Sequence, residues 1–180
     1  LNASVTSNLT LSYASSNTSV ATVAINGTVT VLRVGTTTLT VSQAGNTNYN
    51  ASASVTQNLS VMPKVPVVTS ATVSGRVGST LSVTVNATNA PTNYITSVLP
   101  SGLTINSTTG VINGTPLVAG NGTIVSITAT NAGGNGTGNL TFNIAKGNQT
   151  ISGVTANLTK VFGSGAYSLN ASTTSNLTLS

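Results

Sequence analysis

Apolar and polar residues alternate along most of the chain outside its turns. In Asn8-Leu9-Thr10-Leu11-Ser12-Tyr13 the side chains of Leu9, Leu11 and Tyr13 fall on one face and the polar residues on the other, the period of a half-buried β-strand. The same period holds for Leu39 and Val41, for Leu81, Val83 and Val85, and for Leu140, Phe142 and Ile144. Asn26-Gly27 separates Val20–Ile25 from Thr28–Val31, which predicts a hairpin turning at these two residues, because both tolerate positive φ. No window of 11 residues sustains an apolar period of 3.6, and β-branched residues are abundant. The chain is therefore expected to be all-β.

Residues 1–12 read LNASVTSNLTLS and residues 169–180 read LNASTTSNLTLS, identical but for Val5 facing Thr173. The offset of 168 residues is too long for a solenoid rung and fits two β-sandwiches of 84 residues each. Met62-Pro63-Lys64-Val65-Pro66 is expected to be a stiff, extended connector, because each proline fixes φ and disfavours helix before it. Lys146-Gly147-Asn148 marks a second boundary. The organisation expected is the C-terminal part of one domain at 1–62, lacking its first strands, a complete domain at 63–146, and the first strands of the next copy at 147–180. Covalent continuity of a tandem array would supply the missing strands. A polymer of subunits that donate 147–180 to a neighbour is the alternative.

Composition removes most chemistry. The 180 residues include no Asp, Glu, His or Cys, although roughly twenty acids would be usual in a chain of this length. Acid/base catalysis by carboxylate or imidazole is excluded, as are thiolate, imidazole or carboxylate metal sites and disulfides. Serine is plentiful, but only three lysines could serve as its base. The chain is expected to be no enzyme and to need no cofactor. Its five cations, Arg33, Lys64, Arg76, Lys146 and Lys160, are scattered singly, so nucleic acid is not an expected partner. No apolar run approaches the roughly 20 residues that span a bilayer. Gly134-Asn135-Gly136-Thr137-Gly138 precedes a strand and reads as a hairpin loop, and core packing is the default for all six aromatic residues.

Asparagine is the residue type whose placement stands out. Of 22 Asn, 16 carry Ser or Thr two positions on with no intervening Pro, where about 7 would by chance at this Ser and Thr content. They are Asn2, Asn8, Asn17, Asn26, Asn50, Asn58, Asn86, Asn106, Asn113, Asn121, Asn135, Asn139, Asn148, Asn157, Asn170 and Asn176. Each fits the N-glycosylation acceptor pattern. In an alternating strand the Asn and its Ser or Thr share a face, so Asn139 and Thr141 should point outward while Leu140 and Phe142 point in. The same spacing would arise if Asn and Thr only replaced charged residues on exposed faces, with Asn-Gly turns adding further matches. Charged residues make up only 3% of the chain, and the mean hydropathy is +0.29. Bare sandwiches of this kind should self-associate, and a glycan coat would prevent it.

Leu99-Pro100-Ser101-Gly102-Leu103-Thr104-Ile105-Asn106, continuing through Gly110-Val111-Ile112-Asn113-Gly114-Thr115-Pro116 to Ile127-Thr128-Ala129-Thr130-Asn131, resembles the putative-Ig, cadherin-like repeats of bacterial surface proteins. Residues 14–23, then Gly35–Val41 and Asn48-Tyr49-Asn50, resemble the bacterial Ig-like repeats of giant adhesins, and Lys146–Ile151 resembles the opening of such a repeat. The resemblance implies tandem immunoglobulin-like β-sandwiches, two per 168-residue repeat, outside the cell or on its surface. It implies a structural fibril or stalk, here heavily N-glycosylated, with neighbouring copies of the repeat and attached glycans as partners. An adhesin that binds a host, matrix or carbohydrate ligand through its loops is the alternative. Relatives that bind calcium carry Asp in their loops, whereas Ala44-Gly45-Asn46-Thr47-Asn48-Tyr49 offers only neutral oxygens, a poor calcium cage.

Overall fold

The computed structural model describes residues 1–154 and 157–175, in which all the regular secondary structure is β-strand. The strands are β1 (Ser12–Ser15), β2 (Ala21–Val23), β3 (Val29–Val31), β4 (Gly35–Ser42), β5 (Val55–Val61), β6 (Ala71–Arg76), β7 (Leu81–Thr84), β8 (Asn93–Thr96), β9 (Leu103–Ile105), β10 (Val111–Gly114), β11 (Gly120–Asn131), β12 (Gly134–Ala145), β13 (Ile151–Ser152) and β14 (Ser172–Thr173). They group into two compact units, one of residues 1–67, 88–91 and 130–136, the other of 68–87, 92–129 and 137–180.

In the first unit β4 lies between β1 and β5, antiparallel to both, with Tyr13 opposite Val41 and Leu39 opposite Gln57. Thr37 on β4 is buried, and its hydroxyl lies 2.8 Å from Ser15 Oγ and accepts from Asn17 N at 2.9 Å. That bond locks the end of β1 onto the sheet without leaving a buried polar atom unpaired. The apolar core is small. Val20, Ala21 and Leu39 are buried, whereas Val31, Leu32, Val34 and Val55 stay exposed.

The hairpin at Asn26-Gly27 forms. Gly27 N donates to Ala24 O and Ala24 N to Thr28 O, both at 2.9 Å, and only Gly27 of the two turn residues has positive φ, 81°. This is a type I turn followed by a left-handed glycine, the three-residue hairpin loop. It shifts the pairing by one residue from that of a two-residue turn, setting Val23 opposite Val29. Ile25 is left at the loop tip, 83% exposed.

The second unit is a sandwich. One sheet has the order β7-β10-β9 and the other β6-β12-β11-β8. Their inner faces contribute one cluster: Ile112 and Leu103 from the first, Val73, Phe142, Ile127 and Tyr94 from the second, with further aliphatic neighbours. Alternation on β12 follows the expectation, with Leu140, Phe142 and Ile144 buried and Asn139 exposed, although Thr141 is half-buried. β6 runs parallel to β12, pairing Val73 with Phe142.

Glycines set the tightest approaches. A Cβ on Gly110 (φ +69°) would lie 2.8 Å from the Tyr94 ring, and one on Gly102 (φ +89°) 2.0 Å from Thr115 O. Gly134, Gly136 and Gly138 do not form a hairpin loop, because β12 already begins at Gly134. They let backbone pass closely instead: a Cβ on Gly136 would meet Pro66 O at 1.8 Å, and one on Gly138 would meet Val68 O at 2.7 Å. The connector Met62–Pro66 is correspondingly docked, and Pro66 is fully buried. Of the aromatic residues, Tyr94 and Phe142 are core and Tyr13 is half-buried, but Tyr49, Phe162 and Tyr167 are exposed. The last two lie in the stretch after residue 147, whose strands among the described residues are the two-residue β13 and β14.

Candidate functional site

The sixteen candidate asparagines do not converge on a pocket. They are spread from Asn2 to Asn170 among the described residues, and Asn176 lies outside the described residues. All fifteen described ones are exposed. Asn58, Asn113, Asn121, Asn135 and Asn139 stand on strands β5, β10, β11 and β12. The other ten occupy turns and connections, so the shared-face argument from strand geometry applies to a minority of them.

Their hydrogen bonds have a common polarity. Asn17 Oδ1 accepts from Ser19 N and Ser19 Oγ, Asn26 Oδ1 from Thr28 N, Asn106 Oδ1 from Thr108 N and Thr109 N, and Asn148 Oδ1 from Arg76 Nη1 at 2.6 Å. A backbone N–H and a guanidinium can only donate, so these contacts fix which atom of the amide is oxygen. Asn58, Asn113 and Asn135 likewise use Oδ1, toward Thr38, Thr104 and Thr130. None of these contacts engages the nitrogen that would carry a sugar. In Asn17-Thr18-Ser19 and Asn106-Ser107-Thr108 the Asx turn also presets the local backbone around the acceptor.

Asparagines outside the pattern divide: Asn46 Oδ1 accepts from Asn48 N and Tyr49 N and Asn143 Oδ1 from Gly122 N, whereas Asn89 and Asn131 donate through Nδ2. Asn131 is buried, and its Nδ2 donates to Lys64 O at 2.8 Å and Asn89 O at 2.7 Å while its Oδ1 accepts from Gly133 N. Asn89 Nδ2 donates to Val65 O at 2.7 Å, and Asn93 and Asn143 are half-buried. At Asn89 and Asn131 the amide nitrogen is spent on structure. Asn131→Asp keeps the acceptor for Gly133 but turns an oxygen toward two carbonyls, at an expected cost of about 1–3 kcal/mol. Asn121→Asp, exposed at the start of β11, should shift the thermal midpoint negligibly in the same experiment.

No group of three or more metal-ligating residues exists among the described residues, and no helix there is long and apolar enough to cross a membrane. The backbone around Asn106 links the acceptor pattern to the fold. Asn106 caps the loop between β9 and β10, with Gly110 N donating to Asn106 O and Asn106 N to Val111 O. The Gly102, Gly110 and Gly114 positions on which the family resemblance rests are thus places where backbone or ring packs with no room for a side chain.

Comparison with known proteins agrees with this architecture. The family model described as Putative Ig domain matches residues 64–147, and that of the intimin immunoglobulin-like domain matches residues 7–45. No curated protein matches the chain. A Bacteroides fragilis protein described as a putative alpha-galactosidase/melibiase is similar at 24% identity over 47% of this chain and 18% of its own, with a TM-score of 0.44. Surface layer protein SbsC, domains 4–9, is similar at 19% identity over 87% of this chain and 25% of its own, with a TM-score of 0.35. The titin Ig tandem A164–A165 gives 15% identity over 66% and 68%, with a TM-score of 0.36. The chain spans less than a third of the first two proteins, and the fold assignment rests on the family models and the strand pairing. The chain carries two immunoglobulin-like domains in tandem, matched over residues 7–45 and 64–147.

Proposed function

We propose that this chain is a stretch of an extracellular spacer, an N-glycosylated fibril or stalk of serial immunoglobulin-like sandwiches with no catalytic role. Residues 63–146 form its complete domain, 1–62 the remainder of another, and 147–180 the opening of a further copy. The observation that carries the reading is the excess of asparagines in the acceptor pattern together with their exposure. Those among the described residues are all exposed, and the contacts of Asn17, Asn26, Asn106 and Asn148 engage oxygen, whereas the buried Asn131 spends its nitrogen. A need for polar surface alone gives no reason for Ser or Thr to stand two positions after asparagine so much more often than chance places it there.

The glycans have a physical task. With five cations, no acids and exposed Ile25, Leu32, Val55, Ile95 and Ile124, the surface lacks the mixed charge that keeps proteins apart. The similarity to intimin-type domains supports a place at the cell surface. Intact-glycopeptide mass spectrometry on native material tests the reading. Occupancy is expected at most of the sixteen positions and none at Asn46, Asn48, Asn89, Asn93, Asn131 or Asn143. Native protein that is dispersed in water with its acceptor asparagines bare would overturn it.

A further inference from the structure

The repeated segment adopts two different states within one chain. Near the C-terminus its residues 172–173 form β14, antiparallel to β13, with Ile151 opposite Thr173 and Ser152 opposite Ser172. Thr174 N donates to Thr150 O at 3.2 Å, Thr150 N donates to Thr174 Oγ1 at 3.1 Å, Ser152 and Ser172 hydroxyls meet at 3.1 Å, and Ser175 Oγ donates to Gln149 Oε1. The 168-residue offset carries Ser172, Thr174 and Ser175 onto Ser4, Thr6 and Ser7, the same residue types. The side chains of Ser172, Thr174 and Ser175, which bond to 149–152, therefore have counterparts of the same type at 4–7. The one change, Thr173 to Val5, puts an aliphatic side chain where Ile151 would face it.

Ser4 and Thr6 lie in no strand, and among the described residues no backbone hydrogen bond reaches their N–H groups. Beside them runs a groove of about 380 Å³ lined by Val5, Leu11, Val41, Ala53 and Val55, together with polar residues. Val55 is 68% exposed there. The complementary surface exists on the same chain: Ile151 is 64% exposed, and Val154 and Leu158 are exposed beside it. Pairing with β14 thus leaves Ile151 in water, whereas pairing with 4–7 would place it against the groove.

We propose that residues 147–154 of a second copy of this unit add a strand beside Ser4–Val5, with Ile151 opposite Val5 and seated in the groove. Main-chain bonds supply the affinity and the side-chain pocket the register, the mode of β-augmentation. The incoming strand would also give main-chain partners to backbone groups around Ser4 and Thr6. The inference requires no glycan.

The test uses the full unglycosylated chain and a labelled synthetic peptide of residues 147–168, read by fluorescence anisotropy. Saturable binding is expected, weakened at least about tenfold by Val5→Lys in the chain or by Ile151→Glu in the peptide, since either sets a lone charge against an aliphatic partner. Combining the two changes should recover binding, because the opposed charges then face each other across the ladder. Absence of saturable binding up to about 1 mM, unaltered binding by either single variant, or no recovery in the combination would each overturn the proposal. Any of these leaves the glycosylation reading untouched, and bare asparagines would leave this one untouched.

Discussion

Replacing Phe142 with alanine is expected to remove much of the stability of the β6–β12 sandwich. Phe142 is fully buried near the middle of β12, opposite Val73 in the parallel pair and inside the cluster that includes Ile112 and Ile127. A Phe→Ala change at such a position costs about 3–5 kcal/mol, the lost transfer energy plus the cavity left behind. A domain of this size holds roughly 4–13 kcal/mol in total at 0.05–0.15 kcal/mol per residue. Urea unfolding followed by circular dichroism should show a large fall in midpoint with an unchanged slope. A loss below about 1 kcal/mol would contradict the close packing described for this core.

Gly102→Ala is expected to be the most damaging of the conservative backbone changes. The residue sits at φ +89°, and a Cβ there would lie 2.0 Å from Thr115 O and 2.9 Å from Leu117 Cγ. The obstacle is backbone, and it is reinforced from the other side, since a Cβ on Gly114 would lie 2.1 Å from Gly102 O. Gly78, at φ +79° with nothing within 4 Å of its Cβ direction, isolates the conformational part. Gly78→Ala should cost about 1–2 kcal/mol for positive φ alone. Gly102→Ala should exceed it by a further 1–2 kcal/mol or so, the strain of moving one backbone off another. Equal losses at the two sites would show that the close approach carries no energy.

Much of the fold was legible because alternation is a local property. Leu81, Val83 and Val85, or Leu140, Phe142 and Ile144, declare a buried face through side-chain chemistry alone, and that face is where the structure puts them. Turn chemistry was legible only in part. Asn26-Gly27 announced a reversal, but the positive φ of Gly27 serves equally in a two-residue and a three-residue loop, and the choice moved Ile25 from a pairing position to the tip. Gly134, Gly136 and Gly138 were misread as loop because a glycine that admits a neighbouring backbone has the same composition as one that bends its own. For the asparagines, the spacing of Asn and hydroxyl residue marked the candidates in the sequence. Which atom of each amide is engaged was not visible there, since Asn131 and Asn135 are alike as residues and differ only in what surrounds them.

The sequence by itself determined that this protein is built of β-strands, which faces of its best-patterned strands are apolar, that ionised side chains cannot supply its chemistry, and where acceptor asparagines can occur. Each follows from residue type at short range. Tertiary structure decided that β6 pairs in parallel with β12, that the proline connector is docked, and that Asn131 is an interior brace. Those features depend on main-chain groups meeting across tens of residues, and main-chain groups are the same in every residue but proline. Alternation therefore names the buried face of a strand but leaves its partner, direction and register to be settled by contact.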